Sequence, residues 1–237
     1  MQEPGKPTAA PTPRGLRTRE QILDTAERLW GDRGVEAVSL REIRIAAGQR
    51  NSSALQFHFG GRDGLLLALA ERHLPRLAAL QERLYADLVA AGRREDFDGL
   101  VEVLVRPQAD YLRLGASERA WTKVCAEQAA RPEVVLADVL GHAPAVALHV
   151  GTAVHEWLAP RLGSGLAIER IVAVATACLH LCADRARVED AAAGSSAGPV
   201  RPALPFDQWR ANLLDMAVAA MGAPVRDRAT DGDSLRN

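Results

Sequence analysis

From residue 16 to residue 221 the apolar residues of this chain recur at helical spacing, and no stretch alternates apolar with polar as a half-buried strand would. That periodicity excludes sheet-based folds, and the expected class is all-α. Gly and Pro punctuate the pattern. They set expected helices at 16–33, from Ser39 to Gly48 and from Ser53 to Phe57, then at 62–90, 97–115, 117–130, 132–141, 144–162, 166–190 and 206–221. Pro75 and Pro107 fall inside two of these spans and are expected to kink them. Residues 191–205, rich in Ala, Gly, Ser and Pro, read as a flexible loop.

The first sixty residues carry the most specific signal. Thr18 with Gln21 and Ser39 with Glu42 have the spacing of capping boxes, and Ser53 with Gln56 repeats it. Three compact helices therefore fill residues 16–59, the last two short and separated by a polar turn at Gly48. This is the layout of a helix-turn-helix. Its small core is expected from Ile22, Leu29, Trp30, Leu40, Ile43, Leu55 and Phe59. The third helix is too short to stand alone and needs the other two and the long helix after it as scaffold.

Charge supports a nucleic-acid partner only locally. The whole chain has a net charge of −1, so no global field draws it to a polyanion. Between Arg14 and Arg62, however, nine Arg face six acidic residues, a balance of +3. Arg14, Arg17 and Arg19 lie where a Pro-rich arm, residues 1–14, joins the first helix, a placement suited to phosphates or a minor groove. The other reading of the same residues is a solvated three-helix module with an Arg-rich surface.

The run Leu40 to Leu69, LREIRIAAGQRNSSALQFHFGGRDGLLLAL, resembles the DNA-binding region of the TetR family of bacterial repressors. The resemblance is carried by Ala47-Gly48, by Phe57-His58-Phe59 and by Gly60-Gly61-Arg62-Asp63-Gly64-Leu65-Leu66, and covers about fifty residues. Gln56 stands where that family usually has an aromatic residue. The resemblance implies phosphate contacts for Ser39, Arg41 and Arg62 at two helix starts. It implies base-edge contacts for Arg50, Asn51, Ser52, Ser53 and Gln56, since Arg suits guanine while Asn and Gln suit adenine. Arg17 joins these as a backbone contact. His58 is either a phosphate contact or a brace between helices.

The resemblance further implies that residues 70–222, after a DNA-binding domain at 15–69, form a helical domain with a ligand pocket and a dimer interface, followed by a flexible tail at 223–237. Tyr111, Trp121, His155 and His180, polar-tipped residues on apolar segments, are the expected lining of a pocket for a small apolar ligand, or else ordinary core residues. Leu213, Leu214, Ala217, Val218 and Met221 form an apolar stripe that, together with the apolar 166–183 helix, suits a four-helix homodimer bundle, the alternative being burial within the chain. The expected protein is a ligand-released repressor that binds a palindromic double-stranded DNA operator as a dimer.

Other classes lack their signatures. There is no P-loop, no GxGxxG after a strand, no HExxH and no GxSxG elbow at a strand-to-helix turn, so no enzyme and no cofactor are expected. Cys178, His180 and Cys182 invite a metal reading, but on a helix His180 points away from the two Cys, and no metal is expected. Three Cys make no disulfide framework, and the Pro-rich first fifteen residues have no apolar core of a signal peptide. The longest uncharged run, Val139 to His155, is too short and too broken to span a membrane. A cytoplasmic protein with no membrane partner is expected.

Overall fold

The structure, a computed structural model, describes residues 12–51, 53–131, 143–194 and 203–225. Among these residues there are nine helices and no strands: α1 (Pro13–Arg33), α2 (Leu40–Ala46), α3 (Ala54–Phe59), α4 (Arg62–Ala90), α5 (Phe97–Tyr111), α6 (Ala116–Ala129), α7 (Ala145–Leu162), α8 (Ser164–Ala193) and α9 (Phe206–Gly222). The expected helix at 132–141 lies outside the described residues, as do 1–11, 195–202 and 226–237.

Local chemistry accounts for the helix ends, and in places moves them. α1 starts at Pro13, so Pro13 and Arg14 are helical and not part of an arm. Thr12, not Thr18, caps it: its Oγ1 accepts the Gly15 N–H at 3.2 Å, and a Pro in the first turn gives up an N–H that has no helical partner anyway. The Ser39–Glu42 box forms in full. Ser39 Oγ accepts the Glu42 N–H at 3.2 Å, and Glu42 Oε2 accepts the Ser39 N–H at 2.8 Å. The Ser53–Gln56 box does not form. Asn51 Oδ1 instead accepts the Ser53 N–H at 3.0 Å, an Asx turn that launches α3. Gly60 ends α3 in the left-handed region at φ 70°, and Gly61 follows at φ 132°. Pro75 and Pro107 sit inside the unbroken spans of α4 and α5. α5 stops at Tyr111, short of 115, and α8 runs on to Ala193, so the start of the expected loop is helix.

Two buried clusters divide the interior. One joins Ile22, Ala26 and Trp30 of α1 to Ile43, Leu55, Phe59, Leu65 and Leu69, with Leu29 and Leu40 at its margin. It also takes in Tyr111 from α5 and Trp121 and Val124 from α6. The other packs α5, α7, α8 and α9 through residues such as Val101, Val154, Leu158, Cys182 and Leu213. The first cluster is therefore not closed by residues 15–69 alone. Helices from the second half of the chain complete it.

α6 makes that closure along α1, and at one point the two backbones nearly touch. A Cβ on Gly31 would lie 2.6 Å from the Ala120 Cβ and 2.8 Å from its Cα. Beside this contact lies a buried polar knot. Glu27 of α1, 3% exposed, faces fully buried His73 of α4, with Oε1 and Nε2 3.2 Å apart. His73 Nδ1 pairs with the Tyr111 hydroxyl at 2.8 Å, and its ring stacks on Trp121 at 5.0 Å. Arg72 Nη1 donates to Glu27 Oε2 at 3.0 Å, and Ser117 Oγ donates to Oε1. Burial alone pushes the Glu27 carboxyl up, but hydrogen bonds from His73, Ser117 and Arg72 outweigh it and hold the group below its usual range. Gly31→Val should force α1 and α6 apart against backbone that no rotamer change can move, costing about 1–3 kcal/mol. Urea denaturation checks this, and an unchanged midpoint would show that the close approach is dispensable.

Candidate nucleic-acid interface

α3 has two faces. Ala54, Leu55 and Phe59 are buried against α1, α2 and α4, while Ser53, Gln56 and Phe57 are exposed. The approach to α3 is shaped by side chains that fold the α2–α3 turn upon itself. Arg44 Nη1 donates to the Gln49 carbonyl at 2.7 Å and the Arg50 carbonyl at 3.3 Å. Gln49 Nε2 donates to the Ala47 carbonyl at 3.0 Å and to Gln21 Oε1 at 3.2 Å, tying the turn to α1. The turn thus presents Arg50, Asn51 and Ser53 outward, all exposed.

The local excess of Arg becomes more pronounced in three dimensions. Arg72, from α4, gathers Glu20, Asp24 and Glu27 at 2.5, 2.7 and 3.0 Å. Arg33 pairs with Glu42 at 3.0 Å, Arg62 with Glu36 at 3.5 Å, and Lys123 lies 4.0 Å from Asp32. All six acids of the basic region are engaged. Arg14, Arg17, Arg28, Arg41 and Arg50 form no ion pair among the described residues. Bonding from the Ser39 backbone and hydroxyl, with Arg33 beside it, holds the Glu42 carboxyl down at about 2, so it stays ionised and the cap stays closed.

The sequence-predicted residues fall into three groups. Arg17, Ser39, Arg41, Arg50, Asn51, Ser53 and Gln56 are exposed. Ser52 lies outside the described residues. Arg62 and His58 are turned partly inward. The Arg62 guanidinium donates to the carbonyl of Val35, and to that of Val38 at 3.4 Å. His58 is half-buried between Phe57 and Phe59, and burial together with nearby Arg19 lowers its pKa. The sequence reading did not single out the exposure of Phe57. Its signal was available: with Leu55 and Phe59 facing inward at i and i+4, the residue between them must face out.

It also missed Glu127. From α6 this carboxylate accepts the Val35 N–H at 2.9 and 2.8 Å and the Glu36 N–H at 3.3 Å. Glu127 and Arg62 together bind the backbone of the loop between α1 and α2 from both polarities. No local pattern announces a partner ninety residues away.

The residues expected in a pocket do not come together. Tyr111 and Trp121 belong to the His73 knot. His155 Nε2 pairs with Ser164 Oγ at 3.0 Å across the α7–α8 turn, and His180 is exposed on α8. Space lies elsewhere, in an open groove of about 630 Å³ between α4 and α7, with Tyr85, Val89, Val146 and His149 among its walls. There the Tyr85 hydroxyl meets His149 Nε2 at 2.8 Å.

The stripe expected at a dimer seam is likewise used within the chain. Leu213, Ala217 and Met221 are at most 2% exposed, and Leu214 and Val218 pack against the same core. The stripe faces inward because α9 needs it to lie on α5 and α8. Cys178 and Cys182 are buried while His180 is exposed, and no group of three metal-binding side chains occurs among the described residues.

Glu127→Ala should leave the Val35 and Glu36 amides without their acceptor and cost about 1–3 kcal/mol. The expected readout is a lower unfolding midpoint with faster hydrogen exchange at those two amides. Unchanged exchange there would show that the carboxylate is not what holds the loop.

Residues 22–69 match the model of the family described as bacterial regulatory proteins, tetR family. The HTH-type transcriptional repressor Rv1474c of Mycobacterium tuberculosis is 31% identical over 122 residues, covering 47% of this chain and 60% of that protein. The HTH-type transcriptional repressor AcnR of Corynebacterium glutamicum is 32% identical over 79 residues, covering 33% of this chain and 42% of the relative. The matches thus span less than two thirds of these relatives' lengths. The matched segment covers α2, α3 and most of α1, with the start of α4, so the helix-turn-helix segment of this chain is similar to that of the bacterial regulatory proteins of the tetR family.

Proposed function

We propose that the chain is a cytoplasmic transcriptional repressor that binds a palindromic DNA operator as a homodimer and is released by a small ligand. The observation that carries this reading is the outer face of the helix-turn-helix. There the outer side of α3 is exposed, as are Arg17, Arg41 and Arg50, while the acids of the region are held in ion pairs. In this reading Arg17, Ser39 and Arg41 contact phosphate, and Arg50, Asn51, Ser52, Ser53 and Gln56 read base edges. Arg62 acts by bracing the α1–α2 loop, and His58 by bracing α3. The names of the two relatives support repression as the outcome.

The dimer is proposed on a different face from the α9 stripe. α8 is long and apolar enough to cross a membrane, yet most of its apolar stretch is not buried among the described residues. Leu166, Ile168, Val172 and Leu181 on α8 and Met216 on α9 are between 37% and 49% exposed. A second copy laid along these outward faces would cover them in a helix bundle. Release requires a ligand that binds the operator-incompetent state more tightly, and the groove between α4 and α7 is the space offered for it.

Selection from a random DNA pool should enrich an inverted repeat, and Arg41→Ala should lower the slope of log affinity against log salt by roughly one. A pool without an enriched sequence would overturn the reading. Val172→Asp should place an unpaired charge in the proposed seam, at a cost of several kcal/mol. In sedimentation equilibrium at micromolar concentration the wild type should then be a dimer and the variant a monomer, and a monomeric wild type would refute the seam.

A further inference from the structure

We infer that Phe57 is a specificity residue whose ring packs on the C5-methyl group of a thymine in the operator. The inference rests on the DNA-binding reading above. Phe57 is 83% exposed, more than any other large apolar residue described. It belongs to neither buried cluster, and among the described residues its ring neighbour is His58, edge-on at 5.1 Å.

Its position is set by the helix. The Phe57 N–H donates to the Ser53 carbonyl at 2.8 Å, so Phe57 stands one turn after Ser53 in the same outward row, with exposed Gln56 beside it. Whatever face enters the groove with Ser53 and Gln56 carries this ring in with it. An aromatic ring left in water forgoes the whole of its burial gain. Neither buried cluster of the described residues gives it apolar cover.

The ring has no donor or acceptor, so it cannot bond a phosphate or a base edge. Its contact has to be apolar. The major groove presents donors and acceptors on every base pair, and its apolar element is the thymine methyl. Gln56 points the same way: an amide side chain suits adenine, which places a thymine across the same base pair. Two neighbouring residues of α3 would then read an A·T pair, one by hydrogen bonds and one by packing.

The test uses the full chain and the operator selected from the random pool. Each thymine is replaced in turn by deoxyuridine, which removes the methyl and nothing else. At one position in each half-site the wild type should bind about fourfold more weakly, the value of one buried methyl group. Phe57→Ala should bind the thymine operator less tightly and show no deoxyuridine penalty at that position. The variant should melt with the wild type, because the ring supports neither core. The inference is overturned if no deoxyuridine substitution weakens the wild type, the result a ring resting on deoxyribose would give. It is equally overturned if the penalty persists in Phe57→Ala. A pool that yields no operator overturns the DNA-binding reading itself, and this inference with it.

Discussion

The position of α2 and α3 depends on one short piece of backbone, the loop that joins α1 to α2. Its amide groups are bound by Glu127 from α6, and its carbonyls by Arg62 from the first turn of α4. Buried or half-buried backbone groups must find partners, and a six-residue loop cannot supply them internally. The Ser39 capping box then begins α2 directly after the clamped segment, and α2 sets α3. The orientation of the outer face of α3 is thus inherited from side chains that lie far along the chain.

α6 is the element through which this dependence runs. On one side it meets α1 at the Gly31–Ala120 approach and through the Glu27–Ser117 bond. On the other side Arg119 and Lys123 bind Asp190 of α8 at 2.5 and 2.8 Å. One helix therefore touches both the helix-turn-helix scaffold and the apolar helix proposed to meet a second copy. The Glu27–His73–Tyr111 knot, buried where α1, α4, α5 and α6 converge, adds polar bonds whose loss would leave charge without water or partner. Such a junction favours a single relative placement of the two halves.

Charge is partitioned by the same packing. In sequence the basic region is a mixture of nine Arg and six acids. In space α4 and α6 contribute Arg72 and Lys123, which pair with the acids of α1. The outward Arg keep their charge uncompensated. The small excess spread along forty-nine residues thus rests on Arg that have no acidic partner among the described residues, although the chain as a whole is close to neutral.

Much of this was legible in the sequence because it is local. Periodicity gave the all-α class, α4 falls on the expected 62–90, and the Ser39–Glu42 spacing gave the box that forms. Local signals also mislead where two candidates compete. Thr12-Pro13 outbids Thr18 as the start of α1, and Asn51 replaces the Ser53 box at α3. For Tyr111, Trp121 and the α9 stripe the sequence left two readings open, and packing within the chain is the one seen. An apolar stripe shows that a face will be covered but not by what, and a polar-tipped aromatic shows a need for a partner but not which. The sequence by itself determined the helices, their caps and the module that residues 22–69 build. Tertiary structure alone decided that Leu213, Ala217 and Met221 turn inward while Val172 faces out, that Tyr111 serves His73, and that Glu127 holds the loop ahead of α2. Those outcomes depend on contacts between residues tens of positions apart, which no periodicity encodes.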